Sequence, residues 1–106
     1  MTVKELDNDN FKEFIGKGRA VIDFHAPWCG PCQMMGPVFE ELSSEFEDIS
    51  FGKVNTQEEK ELASLYQIMS IPCLVVFEDG KESERIVGFL QKEQLKDKIN
   101  SIKNKK

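Results

Sequence analysis

The chain has 106 residues, 40% of them hydrophobic and 31% charged, which fits one compact soluble domain over residues 1–106. Its 14 basic and 19 acidic residues leave a formal charge of −5, with five basic and ten acidic groups in residues 1–53 and nine of each in residues 54–106. That balance argues against nonspecific binding of DNA or RNA. The longest apolar run, Cys73 to Phe77, is far short of the ~20 residues of a membrane helix, and an odd set of three cysteines makes no secreted disulfide framework. Met1 to Gly18 is polar and acidic with no apolar block, so no signal peptide is expected and a reducing, cytoplasmic setting is the simpler reading. The basic end at Lys103 to Lys106 reads as a solvated, frayed helix end.

In chain order, Thr2 to Lys4 suits a short edge strand. Asp7 or Asp9 can cap a first helix carrying Phe11, Phe14 and Ile15, which Gly16 and Gly18 end. Ala20 to His25 is a buried strand. Pro31 to about Phe46 is helical by the spacing of Met34 or Met35, Val38, Leu42 and Phe46. Ile49 to Asn55 reads as a strand. Thr56 with Glu59 predicts a capping box opening a helix through Leu62, Leu65 and Tyr66. Pro72 to Phe77 is a buried strand, Asp79-Gly80 a hairpin turn, and Glu84 to Val87 the strand after it. Leu95, Ile99 and Ile102 give a last helix its apolar face. Helices between early strands, then a terminal hairpin, predict an α/β fold: a central mixed sheet with helices on both faces. Sites in such folds collect at the carboxyl ends of strands.

Residues 28–32 read Trp-Cys-Gly-Pro-Cys and follow the second strand directly. Gly30 and Pro31 shape the turn between two thiols, and Pro31 suits the first turn of a helix. The cysteines therefore lie at the positive end of a helix, which favours thiolate over thiol. A stabilising staple is the bland reading of Cys29 and Cys32. Closing about four residues supplies only ~2 kcal/mol, against ~3 kcal/mol for fifteen, so stapling explains little. A zinc set of His25, Cys29, Cys32 and Cys73 is the second alternative, weakened because His25 and Cys73 occur singly. Redox exchange explains the pair best: Cys29, first at the helix tip, attacks, and Cys32, inside the first turn, resolves.

These residues resemble the thioredoxin family, in its bacterial-type form, over nearly the whole chain. The match includes Val-Ile-Asp-Phe before the motif, Pro37 within the following helix, Lys53 on the next strand, Ile71-Pro72, Asp79-Gly80 and Gly88. The resemblance implies a thioredoxin fold and general protein disulfide reduction without a bound cofactor. It also implies recycling by a thioredoxin reductase, disulfide-containing protein substrates and a monomer. It makes Asp23 the proton acceptor that activates Cys32, with Lys53 near that carboxylate. Burial of Asp23 is expected independently, from its place in a strand covered on both faces, and burial raises a carboxyl pKa. Trp28, Gly30, Pro31, Ile71, Pro72 and Gly88 become the substrate-contacting set, with a cis Ile71–Pro72 bond beside the cysteines. There are departures: His25 stands where the family often has an aromatic, Asn55 replaces a common acidic residue, and Cys73 follows Pro72. Cys73 reads either as a small core residue or as a third thiol near the pair, the latter being the route to a metal or iron–sulfur protein on the same fold.

Overall fold

In the computed structural model, which describes residues 3–104, the elements run β1 (Val3–Glu5), α1 (Phe11–Ile15), β2 (Arg19–His25), α2 (Gly30–Ser43), β3 (Ile49–Asn55), α3 (Lys60–Leu65), β4 (Cys73–Glu78), β5 (Lys81–Val87) and α4 (Lys92–Lys103). The strands form one mixed sheet in the order β1-β3-β2-β4-β5. β1 and β2 both run parallel to β3, whereas β4 runs antiparallel to β2 and β5 antiparallel to β4. β2 is thus central, and Asp23 on it pairs with Lys53 on one side and Leu74 on the other.

Side-chain alternation along the strands divides the core in two. One face carries Val21, Phe51, Leu74 and Val76 against Met35, Phe39 and Leu42 of α2 and Leu95 and Ile99 of α4. The other carries Ala20, Ile22, Phe24, Val75 and Phe77 against Phe11 and Ile15 of α1 and Leu62 of α3. Aromatic rings dominate the second face, with Phe77 edge-on to Phe11 at 5.7 Å and to Tyr66 at 5.3 Å between centroids. There the sheet surface is lowered by Gly52, where an added Cβ would sit 2.7 Å from Leu6 Cδ1 and 3.0 Å from Phe14 Cε2. This is the central mixed sheet with helices on both faces expected from the sequence.

Element boundaries depart from expectation for local reasons. The edge strand lies at Val3–Glu5, and Thr2 is outside the described residues. Before α1, Asp7 Oδ1 accepts from the N–H groups of Asp9 and Asn10 at 2.9 and 3.1 Å, so Asp7 organises the turn while Asn10 takes the N-cap position. The capping box at Thr56 and Glu59 is not made. The Thr56 hydroxyl donates to the His25 carbonyl at 3.1 Å, and Asn55 Oδ1 accepts from Gln57 and Glu58 N–H, delaying α3 to Lys60. α2 stops at Ser43, where the hydroxyls of Ser43 and Ser44 turn back onto the carbonyls of Glu40 and Glu41. β5 begins at Lys81, because Asp79 and Gly80 (φ 51° and 87°) turn the chain tightly enough for Lys81 to pair with Glu78. Lys103 is not merely frayed: it ion-pairs with Asp48 at 3.1 Å and lies over the Phe46 ring, while Lys105 and Lys106 are outside the described residues.

Candidate active site

The chain leaves β2 at His25 and within four residues reaches Cys29, the N-cap of α2. Cys29 is extended there (φ −90°, ψ 112°), and the helix begins at Gly30 with Pro31 in its first turn. Neither residue obstructs: Pro31 has no N–H to leave orphaned, and a Cβ at Gly30 would meet nothing within 4 Å. Cys29 and Cys32 form a disulfide with Cα atoms 5.2 Å apart. The Cys32 N–H donates to Cys29 Sγ at 3.3 Å, so a helix-end amide already points at the first sulfur. Exposure does not separate the two, since each is 5% exposed; what separates them is position, Cys29 before the helix and Cys32 inside its first turn.

Around the pair, Ala26 and Ile71 complete a small apolar cluster, and the Ile71 carbonyl oxygen lies 3.8 Å from Cys29 Sγ. The Ile71–Pro72 bond is cis. Gly88, at φ 96°, donates its N–H to the Pro72 carbonyl at 2.8 Å, which ties the start of the last loop to the segment facing the disulfide. Trp28 is 71% exposed beside Cys29. Gly30 and Pro31 thus lie between the two cysteines, Ile71 packs on them, and Pro72 and Gly88 connect to that segment through the cis bond and the Gly88–Pro72 hydrogen bond. Two further residues adjoin these segments that the sequence did not single out. Val87 is an exposed apolar side chain on β5, visible in hindsight as an apolar residue at an outward position next to Gly88. Gln33 donates from Nε2 to the Pro27 carbonyl at 2.7 Å, bracing the loop that carries Trp28, and nothing in the sequence signals that bond.

Beneath the pair, Asp23 is 3% exposed on the α2 face of β2, and its Oδ1 has no hydrogen-bond partner. Burial pushes its pKa up to about 7, against an opposing pull from the Lys53 ammonium, its register partner on β3. His25, half-buried at the end of β2, has its pKa lowered by burial first and by Lys53 second. Cys73 is a free thiol at 1% exposure, packed with Phe24, Val75 and Phe77 on the opposite sheet face from α2. Its pKa is raised, by burial first. Among the described residues no three His, Cys, Asp or Glu side chains come together as a set of metal ligands, so His25, Cys29, Cys32 and Cys73 do not assemble.

A vicinal pair of cysteines at a helix N-terminus, at the carboxyl end of a central strand and over a buried carboxyl, defines a thiol–disulfide oxidoreductase. The thioredoxin family model matches residues 2–101. A thioredoxin of Chlamydia pneumoniae is 43% identical over 98 residues, covering 92% of this chain and 96% of that protein. A thioredoxin of Bacillus subtilis is 41% identical over 101 residues, covering 94% and 97%. The solved structure of a point-mutant thioredoxin from Halobacterium salinarum superposes with a TM-score of 0.86 at 35% identity, over 93% of this chain and 88% of that one. The chain belongs to the thioredoxin family, and it is a protein disulfide oxidoreductase whose partners are, in general, a reductase and disulfide-containing substrates. No helix among the described residues is long and apolar enough to cross a membrane.

Proposed function

We propose that Cys29 is the attacking thiol of a general protein disulfide reductase and Cys32 the resolving one. The observation that carries this is the Cys32 N–H donating to Cys29 Sγ at the N-cap of α2. In the reduced protein that amide and the helix end stabilise a Cys29 thiolate. The thiolate attacks one sulfur of a target disulfide, and the other target sulfur leaves with the electron pair. Cys32 then loses its proton to the Asp23 carboxylate and attacks Cys29 Sγ, releasing the second target thiolate. Two electrons pass to the target, the two target sulfurs take up protons, and the disulfide seen here remains. A thioredoxin reductase returns it to the dithiol.

Acidity alone accounts for little of the rate. A thiol of pKa ~8.5 is about 3% thiolate at pH 7, and lowering it by ~1.5, a shift taken from the family, raises that fraction ~16-fold while nucleophilicity falls ~5-fold. The remaining ~3-fold gain leaves positioning as the larger contribution. The surface formed by Trp28, Gly30, Pro31, Ile71, Pro72 and Gly88 serves that end by holding the target chain over Cys29. The exposed Trp28 indole and the closeness of the Ile71 carbonyl to Cys29 support it. Lys53 is read as the cation that steadies the Asp23 carboxylate. One sheet serving both core layers supports a single domain over residues 1–106, which we read as acting as a monomer in the cytoplasm.

In a reductase-coupled disulfide reduction assay, Cys29→Ser is expected to fall to background. Cys32→Ser is expected to accumulate mixed disulfides with its targets. Trapping that survives loss of Cys29 and requires Cys32 would reverse the assignment.

A further inference from the structure

Two buried polar atoms without hydrogen-bond partners belong to residues two apart on β2: Asp23 Oδ1 and His25 Nε2. A third, Arg19 Nε, lies at the other end of the strand. Asp23 and His25 are two residues apart, so their side chains leave the same face, about 6.6 Å apart along the strand. That is the face on which α2 carries the cysteines. Asp23 is 3% exposed and each cysteine above it 5%, so the carboxyl meets solvent over little of its surface, and its Oδ1 over almost none. His25 is half-buried at the strand's carboxyl end, and its ring reaches from the interior toward the surface.

A carboxyl that takes a proton from Cys32 in each cycle must also shed it. We propose that His25 carries protons between the Asp23 carboxyl and solvent. The inference rests on the reading of Asp23 as proton acceptor. In the step, the Asp23 carboxyl gives up its proton through bridging water to one ring nitrogen of His25. The other ring nitrogen releases a proton to solvent. Asp23 returns to carboxylate, His25 is unchanged in net charge, and no electrons move. Lys53, the register partner of Asp23 on β3, has donors only while charged and offers no lone pair to take the carboxyl proton.

The charges around the ring suit this role. Lys53 faces it from β3, Glu5 from β1 and Glu58 from the turn after β3, with Asp23 on its own strand. Burial and Lys53 favour the neutral imidazole, while Glu5 and Glu58 moderate that preference and ease its transient protonation. A neutral imidazole with an unpartnered nitrogen is the form that accepts a proton. His25 touches neither target nor sulfur in this scheme and acts through Asp23.

The test uses the whole chain and its single tryptophan, Trp28 beside Cys29, as a stopped-flow fluorescence reporter of the redox change. His25→Phe and His25→Gln, which cannot relay a proton, are compared with Asp23→Asn and with the double variants. The expected result is a rate at pH 7 lowered about 10-fold in each His25 variant, a shifted pH–rate profile, and recovery with added imidazole. The double variants are expected to be no slower than Asp23→Asn alone. A merely structural role would give losses that add to those of Asp23→Asn and do not respond to imidazole, and that overturns the relay. A slow Asp23→Asn with His25 variants at the wild-type rate overturns the relay and leaves the Asp23 reading intact. Asp23→Asn at the wild-type rate removes both. Should His25→Phe not fold, His25→Gln carries the same outcomes.

Discussion

The same sheet buries two ionisable side chains in adjacent rows and makes different things of them. Asp23 on β2 lies opposite Leu74, and the next residue, Phe24, lies opposite Cys73 on β4. Because neighbouring strand residues point to opposite faces, Asp23 faces α2 and the redox pair while Cys73 faces the aromatic layer of α1 and α3. Burial is the first cause of the pKa change in both and raises both. Starting from an acid, the push carries Asp23 to about 7, where a proton can be gained and lost at working pH. Starting from a thiol of 9.0, the same push carries Cys73 away from neutrality and leaves it a neutral, inert side chain. One physical cause therefore yields a proton acceptor on one face and packing on the other.

The sharpest test of that contrast is Asp23→Asn. In the unfolded chain the carboxyl ionises near 3.8, in the folded protein near 7. The folded state therefore binds more protons across that interval, and stability is lost as pH rises from about 4 to about 7. Above pH 7 the loss is complete, on the order of 4 kcal/mol. The asparagine variant is expected to lack the slope, to exceed wild type in urea midpoint near pH 8, and to converge with it near pH 4. Exchange near neutral pH is expected to slow at the same time. Parallel stability curves for the two oxidised proteins would place Asp23 in contact with water and end the comparison.

A smaller effect is expected from crowding the aromatic face. In Gly52→Ala the new Cβ falls 2.7 Å from Leu6 Cδ1, 3.0 Å from Phe14 Cε2 and 3.2 Å from Ile22 Cδ1, so three side chains must shift. A cost of about 1–3 kcal/mol follows, typical of overpacking. Because the strain falls on the face away from the cysteines, the rate per folded molecule is expected to hold. A lowered rate with unchanged stability would show that the two faces are coupled through β3.

The unequal legibility of the two faces has a physical source. β2 and β4 read directly from the sequence because strands covered on both sides leave continuous apolar runs, and the burial of Asp23 followed from its place inside one. The cysteine-bearing helix start was equally plain, since Pro31 in a first turn and the spacing of Met35 and Leu42 are local signals. What misled or stayed hidden depends on partners distant in sequence or on loop geometry. Thr56 looked like a helix cap but directs its hydroxyl to the His25 carbonyl, 31 residues away. Gln33 braces the Pro27 carbonyl through a loop whose path no propensity specifies. Cys29 and Cys32 are equally covered, at 5% each, so exposure gives no sign of which one attacks. Cys73 stood undecided between the two faces because its distance from the motif along the chain says nothing of which way its side chain points.

Cys73→Ala is the smallest perturbation and decides that last point. Removing one sulfur from the cluster of Phe24, Val75 and Phe77 deletes about one methylene's worth of burial, so a loss of about 1 kcal/mol is expected. Turnover in the reductase-coupled assay is expected to be unchanged, since the thiol faces away from α2. Two measurements on the thiol itself sharpen the claim. Against an alkylating reagent at pH 7, reduced Cys29 is expected to react fast and Cys73 slowly, because the latter is both covered and held protonated by its burial. In Cys32→Ser protein exposed to oxidant, peptide mapping by mass spectrometry is expected to find Cys29 as a sulfenic acid or in intermolecular disulfides, with Cys73 still free. An internal Cys29–Cys73 bridge, which needs Cα atoms within ~7 Å and side chains meeting on one side of β4, would require the segment after Pro72 to turn over. Finding it would move Cys73 from the packing face to the redox face and erase the difference between the two buried groups.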